Sequence, residues 1–170
     1  MKITVRKMTL EDVPSVIGLD QKSFSLPWPE RSFRFELTAN SASRCWVAEL
    51  DLNIVGMIVV WLIIDEAHVA TLATDPEFRR QGIATKLLSH ALRQLMEDGA
   101  RSSFLEVRES NVTAQNMYRK FGYEPSGRRP RYYKDNNEDA ILMTLDSLKA
   151  ERLIFDDEPA DLDKEEQNER

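Results

Sequence analysis

The run Thr74-Asp75-Pro76-Glu77-Phe78-Arg79-Arg80-Gln81-Gly82-Ile83-Ala84-Thr85 reads as a strand end, a loop of backbone donors and a helix N-terminus. Such a junction gathers unpaired amide N–H groups and the positive end of a helix dipole at one spot, which suits a pyrophosphate or another compact anion. Gly82 and Ala84 matter because they are small: backbone at those positions can approach phosphate oxygens that a larger side chain would hold away. The spacing R-x-x-G-x-A is loose by itself. It is not a Walker loop, since no G-K-S/T follows, and it lacks the glycine pattern of a dinucleotide site. Glu106 is the second feature. It lies between Leu105 and Val107 in an otherwise apolar strand, so its carboxylate points to the face opposite theirs, an uncommon place for an acid. Its structural reading is an exposed strand position or a partner for Arg108.

The elements that must position these residues follow from periodicity. Glu66 to Thr74 looks like a strand, and Ile83 to Met96 places Ile83, Leu87, Leu88, Ala91, Leu92 and Leu95 on one helical face. Upstream, Ile3 and Val5 alternate in a first strand, and Thr9 to Asp12 gives a capping-type start for a helix through Gln21, with Pro14 in its first turns. Ser25-Leu26-Pro27-Trp28-Pro29 breaks the chain before a helix over Glu30 to Thr38. Strands over Arg44 to Leu50 and Ile54 to Ile64 join through Asp51-Leu52-Asn53 as a hairpin. Downstream come the strand Ser102 to Arg108, a short helix from Asn111 or Thr113 to Phe121, and a hairpin around Asp135-Asn136-Asn137. The expected fold class is α/β, a mixed sheet with helices on both faces.

Bulk composition narrows the class. With 170 residues, 42% hydrophobic and 31% charged, one globular domain is expected. The longest apolar run, Ile54 to Ile64, is interrupted by Gly56 and too short for a bilayer, and the N-terminus has no signal-peptide pattern, so the expectation is a cytoplasmic protein without a membrane role. Cys45 is the single cysteine and reads as a core thiol beside Trp46. No Cys/His cluster has zinc spacing, so no metal is expected. The net charge of −6 is concentrated at the end: residues 151–170 hold nine acids and three bases, which leaves 20 of each sign elsewhere. The expected division is a folded domain over 1–149 and an acidic, solvated tail over 150–170. A neutral folded part argues against nucleic acid as a partner.

Arg79-Arg80-Gln81-Gly82-Ile83-Ala84 resembles the R/Q-x-x-G-x-G/A signature of the GNAT superfamily of acyl-CoA-dependent N-acyltransferases. The likeness extends toward the RimI family of ribosomal-protein alanine N-acetyltransferases. It is carried by Leu26-Pro27-Trp28 with Ser32-Phe33, Asp65-Glu66-Ala67, Asp75-Pro76, Leu105-Glu106-Val107-Arg108-Glu109-Ser110-Asn111, and Arg131-Tyr132-Tyr133 with Glu138-Asp139-Ala140. The resemblance implies a GNAT fold, a mostly antiparallel sheet of about seven strands splayed between the fourth and fifth. It implies acetyl-CoA as co-substrate, with Leu72, Ala73 and Thr74 as the strand edge for the pantetheine arm. Arg80, Gln81, Gly82, Ile83, Ala84 and Thr85 would form the pyrophosphate loop. Thr74 departs from the family's usual Val, and Ala84 replaces the commoner second Gly.

The resemblance further makes Glu106 the general base and Tyr118 the acid that protonates the departing CoA thiolate. Tyr118 can otherwise be a packed core residue. Asn111 either caps its helix or bonds to the cofactor. Trp28, Glu66, Tyr132 and Tyr133 would wall the site for a peptide, although packing explains the aromatic segments too. His68 reads as a structural histidine, although Ala67-His68-Val69-Ala70-Thr71-Leu72-Ala73 also resembles the Gly-His-Ile-Thr-Ser-Leu-Ala stretch of some eukaryotic N-terminal acetyltransferases, and His90 has no functional partner. An α-amine of pKa about 7.7–8.0 needs only about 1 kcal/mol to become neutral at pH 7, against roughly 4–5 for a lysine. Positioning, at about 7–11 kcal/mol, therefore outweighs base catalysis for an N-terminal substrate. The expected protein is a monomer or weak dimer that acetylates a protein N-terminus by direct transfer, with a ribosomal protein as first choice of partner. The alternatives are a broader N-terminal or small-amine acetyltransferase and a non-catalytic acyl-CoA-binding module.

Overall fold

A computed structural model describes residues 2–153. Seven strands among them form one sheet in the order β1-β2-β3-β4-β5-β7-β6: β1 Ile3–Lys7, β2 Ser43–Leu50, β3 Asn53–Ile63, β4 Glu66–Thr74, β5 Ser102–Arg108, β6 Glu124–Tyr133 and β7 Glu138–Leu145. Only the β4–β5 pairing is parallel. Four α-helices cover the faces: α1 Val13–Ser23, α2 Glu30–Thr38, α3 Ile83–Glu97 and α4 Val112–Phe121. The mixed sheet splayed between β4 and β5, expected from the sequence, is the fold observed.

Each face has its own core. On one, α1 and α2 bring Val13, Val16, Leu19 and Phe33 against Val47, Met57 and Val59. On the other, α3 and α4 bring Ile83, Leu87, Leu88, Leu92, Leu95 and Phe121 against Val60, Ala67, Leu105 and Met143. All six positions of the α3 stripe read from the sequence are buried, and each of its Ile and Leu side chains contributes about 1.5–3 kcal/mol. The helix lies close to the sheet because Gly56 leaves room: a Cβ there would stand 2.7 Å from Ile83 Cγ2 and 2.9 Å from Leu87 Cδ1.

Three local features differ from the sequence expectation. Thr9 to Asp12 does not open the helix itself. Leu10–Asp12 is a single 3-10 turn, and α1 starts at Val13 so that Pro14 falls in its first turn, where the missing N–H is harmless. The β2–β3 turn is the two residues Asp51 and Leu52, with φ of 50° and 68°. The folded domain also runs past residue 149: residues 150–153 form a 3-10 turn, Leu153 is fully buried on α3, and its carbonyl accepts from Ser89 Oγ at 2.5 Å. Charge placed these four residues in the tail, but one apolar side chain with a groove to enter outweighs it. Residues 154–170 of that expected tail lie outside the described residues.

The feature that shapes the site lies between β4 and β5. Their ladder runs from Glu66↔Ser102 to Val69↔Leu105 and stops. At that point Ala70 bulges out of β4, for Val60 faces Val69 while Val59 faces Thr71. A bulge bends its strand. Beyond it β4 follows β3, whereas Glu106–Arg108 follow β7. A wedge opens, and its two inner edges have no ladder partner among the described residues.

Candidate active site

Glu106 is the first residue of β5 beyond the last β4–β5 pair. Leu105 and Val107 point into the α3/α4 core, so Glu106 points to the other face, as alternation requires. Arg108 is not its partner. His68 Nε2 lies 2.9 Å from Glu106 Oε2, and Arg129 Nη2 lies 3.6 Å from Oε1. The hydrogen bond to His68, aided by the charges of His68 and Arg129, holds Glu106 below the ordinary carboxylate value in spite of its partial burial. His68 is itself clamped, stacked on Phe104 at 4.3 Å and 9°, with Trp61 edge-on at 5.2 Å.

Tyr118 belongs to the core on the α3/α4 side of the sheet, the face opposite Glu106. It sits on α4 at 8% exposure, edge-on to Tyr123 at 5.8 Å. Burial pushes its phenol above the ordinary value, so it keeps its proton at neutral pH. Tyr133 interacts electrostatically with both Glu106 and Tyr118. Burial pushes its own hydroxyl up to about 12, against the opposing field of Arg108. Tyr133 is thus coupled by charge to both Glu106 and Tyr118.

The loop between β4 and α3 has the form its sequence suggests. Asp75 is buried, and its Oδ1 accepts the Glu77 N–H at 3.0 Å, shaping the turn Pro76–Phe78. Arg80 and Gly82 both take left-handed backbone, at φ 65° and 73°. For Arg80 this costs about 1–2 kcal/mol, while Gly82 adopts it freely. Gly82 supplies no side-chain cap to α3, and the first backbone bond inside the helix is Lys86 N–H to Gly82 O at 2.9 Å. No acid occupies the first turn, so the amides of Ile83, Ala84 and Thr85 face outward without a competing negative charge. Gln81 is exposed beside them. Leu72, Ala73 and Thr74 lie on the stretch of β4 that pairs with β3 alone. Thr74 Oγ1 is the one buried side-chain oxygen without a hydrogen-bond partner among the described residues. A strand edge, an uncapped helix and an orphaned hydroxyl in sequence fit an extended ligand with amide groups at one end and an anion at the other.

The remaining candidates divide. Trp28 packs on Phe33 with centroids 5.3 Å apart, and its backbone N–H is fixed at 2.7 Å by the buried carboxylate of Asp20. Tyr132 is half exposed and edge-on to Tyr133 at 5.1 Å. Ser25, three residues before Trp28, bonds to Asp135 at the tip of the β6–β7 hairpin, so these two walls are tied together. Asn111 uses its side-chain oxygen as the α4 cap, accepting from Ala114 N–H at 3.2 Å. Glu66 stands apart. It pairs with Ser102, four residues before Glu106, or about 13 Å along the strands. Sequence reasoning left His68, Arg108 and Arg129 out of the site. The signal for His68 was the likeness of residues 67–73 to a histidine-containing stretch of some eukaryotic N-terminal acetyltransferases, and its partner depends on a register the sequence does not print.

Comparison with known proteins agrees with this geometry. A profile of the Acetyltransferase (GNAT) family matches residues 13–123. A Bacillus subtilis (strain 168) protein, provisionally named a ribosomal protein bS18-alanine N-acetyltransferase, is 40% identical over 142 residues, covering 84% of this chain and 94% of its own. The ribosomal protein bS18-alanine N-acetyltransferase of Escherichia coli (strain K12) is 31% identical over 146 residues, covering 84% and 96%. The crystal structure of the ribosomal-protein-S18-alanine N-acetyltransferase from Escherichia coli superposes with a TM-score of 0.79 at 29% identity, over 91% of this chain and all of that one. The chain belongs to the GNAT family of acetyltransferases and is an N-acetyltransferase of RimI type.

Proposed function

We propose that this enzyme acetylates the α-amine of a protein N-terminus, with the N-terminal alanine of ribosomal protein bS18 as its substrate. The observation that carries the reading is Glu106 at the first open position of β5, with Tyr118 buried on α4 on the other side of the sheet. The relatives that bear the bS18 name support the choice of substrate.

Acetyl-CoA, when bound, supplies an acetyl group on a thioester. The free edge at Leu72, Ala73 and Thr74 would pair with the pantetheine amides. The amides around Arg80, Gln81, Gly82, Ile83, Ala84 and Thr85 would hold the pyrophosphate. With its oxygen engaged as a cap, Asn111 has its amide nitrogen left for the co-substrate. Trp28, Tyr132 and Tyr133 wall the acceptor groove, and Glu66 stands at its distant end. Glu106 takes a proton from the ammonium, and Tyr118 gives one to the departing sulfur. Of the three protons on the ammonium nitrogen, one stays in the amide, one replaces the proton Tyr118 gave, and one is released. No metal enters this scheme, and a ribosomal substrate places the reaction in the cytoplasm.

The test is mass-resolved acetyl transfer to Ala-, Ser- and Met-starting peptides, each with an internal lysine, beside copies with a blocked N-terminus. Acetylation confined to free α-amines and fastest for the bS18 sequence is the expected result. Transfer to blocked peptides, or to small amines only, would overturn the reading.

A further inference from the structure

We propose that His68 is the positioning residue for Glu106, its imidazole holding one carboxylate oxygen so that the other is presented to the acceptor amine. The proposal rests on the amine-acetylation reading above. His68 Nε2 and Glu106 Oε2 are 2.9 Å apart, and the two side chains are only 16% and 13% exposed. The imidazole cannot swing away. Phe104, its partner across the β4–β5 ladder, stacks on one face, and Trp61 meets it edge-on. Trp61 is fixed in turn, its Nε1–H donating to buried Glu36 at 2.9 Å, a carboxylate that Asn40 also holds at 2.9 Å.

With Oε2 committed to His68, Oε1, which Arg129 Nη2 approaches at 3.6 Å, is the oxygen left to meet the amine. The proton that Glu106 takes from the ammonium passes to solvent after the amide leaves. The other charged or titratable groups around the pair are Arg129 and Tyr133 on β6, Arg108 on β5, Glu66 on β4, and Glu36 behind Trp61. Arg108 is engaged by Asp135 and Glu138.

The chain has two histidines, so its imidazole resonances are assigned by a single substitution. NMR of the full chain at pH 7 should show the His68 ring resonances moving in Glu106→Gln while those of His90 stay in place. In His68→Gln, which keeps a donor for Oε2, kcat should fall about 10-fold at pH 7 with the KM for acetyl-CoA unchanged, and the acid limb of the pH–rate profile should move. His68→Phe, without a donor, should lose about 100-fold. Unmoved His68 resonances in Glu106→Gln, or wild-type kcat and pH profile in His68→Gln, would overturn the proposal. If Glu106→Gln instead keeps full turnover, the base assignment itself fails, and the NMR comparison still reads the His68–Glu106 contact independently.

Discussion

Arg108 Nη2 on β5 lies 3.0 Å from Asp135 Oδ2 at the tip of the β6–β7 hairpin. The same guanidinium sits 4.0 Å over the ring of Tyr133, and Asp135 also holds Ser25. One arginine therefore joins the strand that carries Glu106 to both aromatic walls. Arg108→Ala should raise the KM for the acceptor peptide about 10-fold with little change in the KM for acetyl-CoA, as steady-state kinetics with each substrate varied will show.

Glu106→Gln keeps the shape of the side chain and removes the proposed base. We expect kcat to fall on the order of 10²-fold at saturating substrates, the usual range for one acid–base group. Tyr118→Phe removes only a hydroxyl and should reduce kcat by a similar factor. Its binding of acetyl-CoA, measured by calorimetry, should stay at the wild-type level. Unchanged turnover in either variant removes that residue from the mechanism.

Gly56 is where α3 presses on the sheet. Gly56→Ala would place a methyl within 3 Å of Ile83 and Leu87, both fully packed. Overpacking of this kind costs about 1–3 kcal/mol. Denaturant unfolding should show the loss as a lower midpoint with unchanged slope.

Leu153 tests where the domain ends. A chain ending at Lys149 lacks a fully buried leucine that a chain ending at Leu153 retains. The shorter chain should be less stable by about 2–5 kcal/mol, the range for emptying such a site, and Leu153→Ala in the full chain should reproduce most of the difference. Equal melting temperatures for the two truncations would count against this.

Asp12 sets a pH dependence of stability. Arg6 grips both its oxygens at 2.8 Å, and the Thr9 N–H donates to it at 2.7 Å. The hydrogen bonds from Arg6 hold its carboxyl below the ordinary value. A depressed carboxyl stabilises the fold above its unfolded pKa of about 3.9, and the benefit is lost as pH falls through the depressed value. Asp12→Asn should therefore cost about 1–3 kcal/mol at pH 7, with the gap to wild type closing below about pH 4. A gap that stays constant down to pH 2.5 would assign the effect to packing.

Local signals carried most of the fold. The 3.6-residue stripe of α3 and the alternation of Leu105, Glu106 and Val107 each depend on residues close in sequence, and both are seen as read. The loop at Gly82 was legible because a small residue before an amphipathic helix has few other uses. What escaped depends on distant contacts. The partner of Glu106 is decided by the β4–β5 register, which puts His68 opposite Phe104, and no property of residues 66–74 alone fixes that alignment. The role of Arg108 depends on a hairpin tip 27 residues away. Leu153 was masked by its acidic neighbours, because a charge count averages over the one side chain that finds a groove.

The wedge between β4 and β5 has a consequence for the protein's life without its co-substrate. The inner edges of residues 71–74 and 106–107 have no ladder partner among the described residues, and an open strand edge is a template for any extended chain, another copy included. Glu106 and Arg108 put opposite charges on one of those edges, which discourages an adventitious strand from docking there. A ligand seated in the wedge would cover both edges and, at 100 times its dissociation constant, add about 2.7 kcal/mol to the folded state. If acetyl-CoA is that ligand, the preparation stripped of it should be the one that aggregates, as light scattering with and without acetyl-CoA will show.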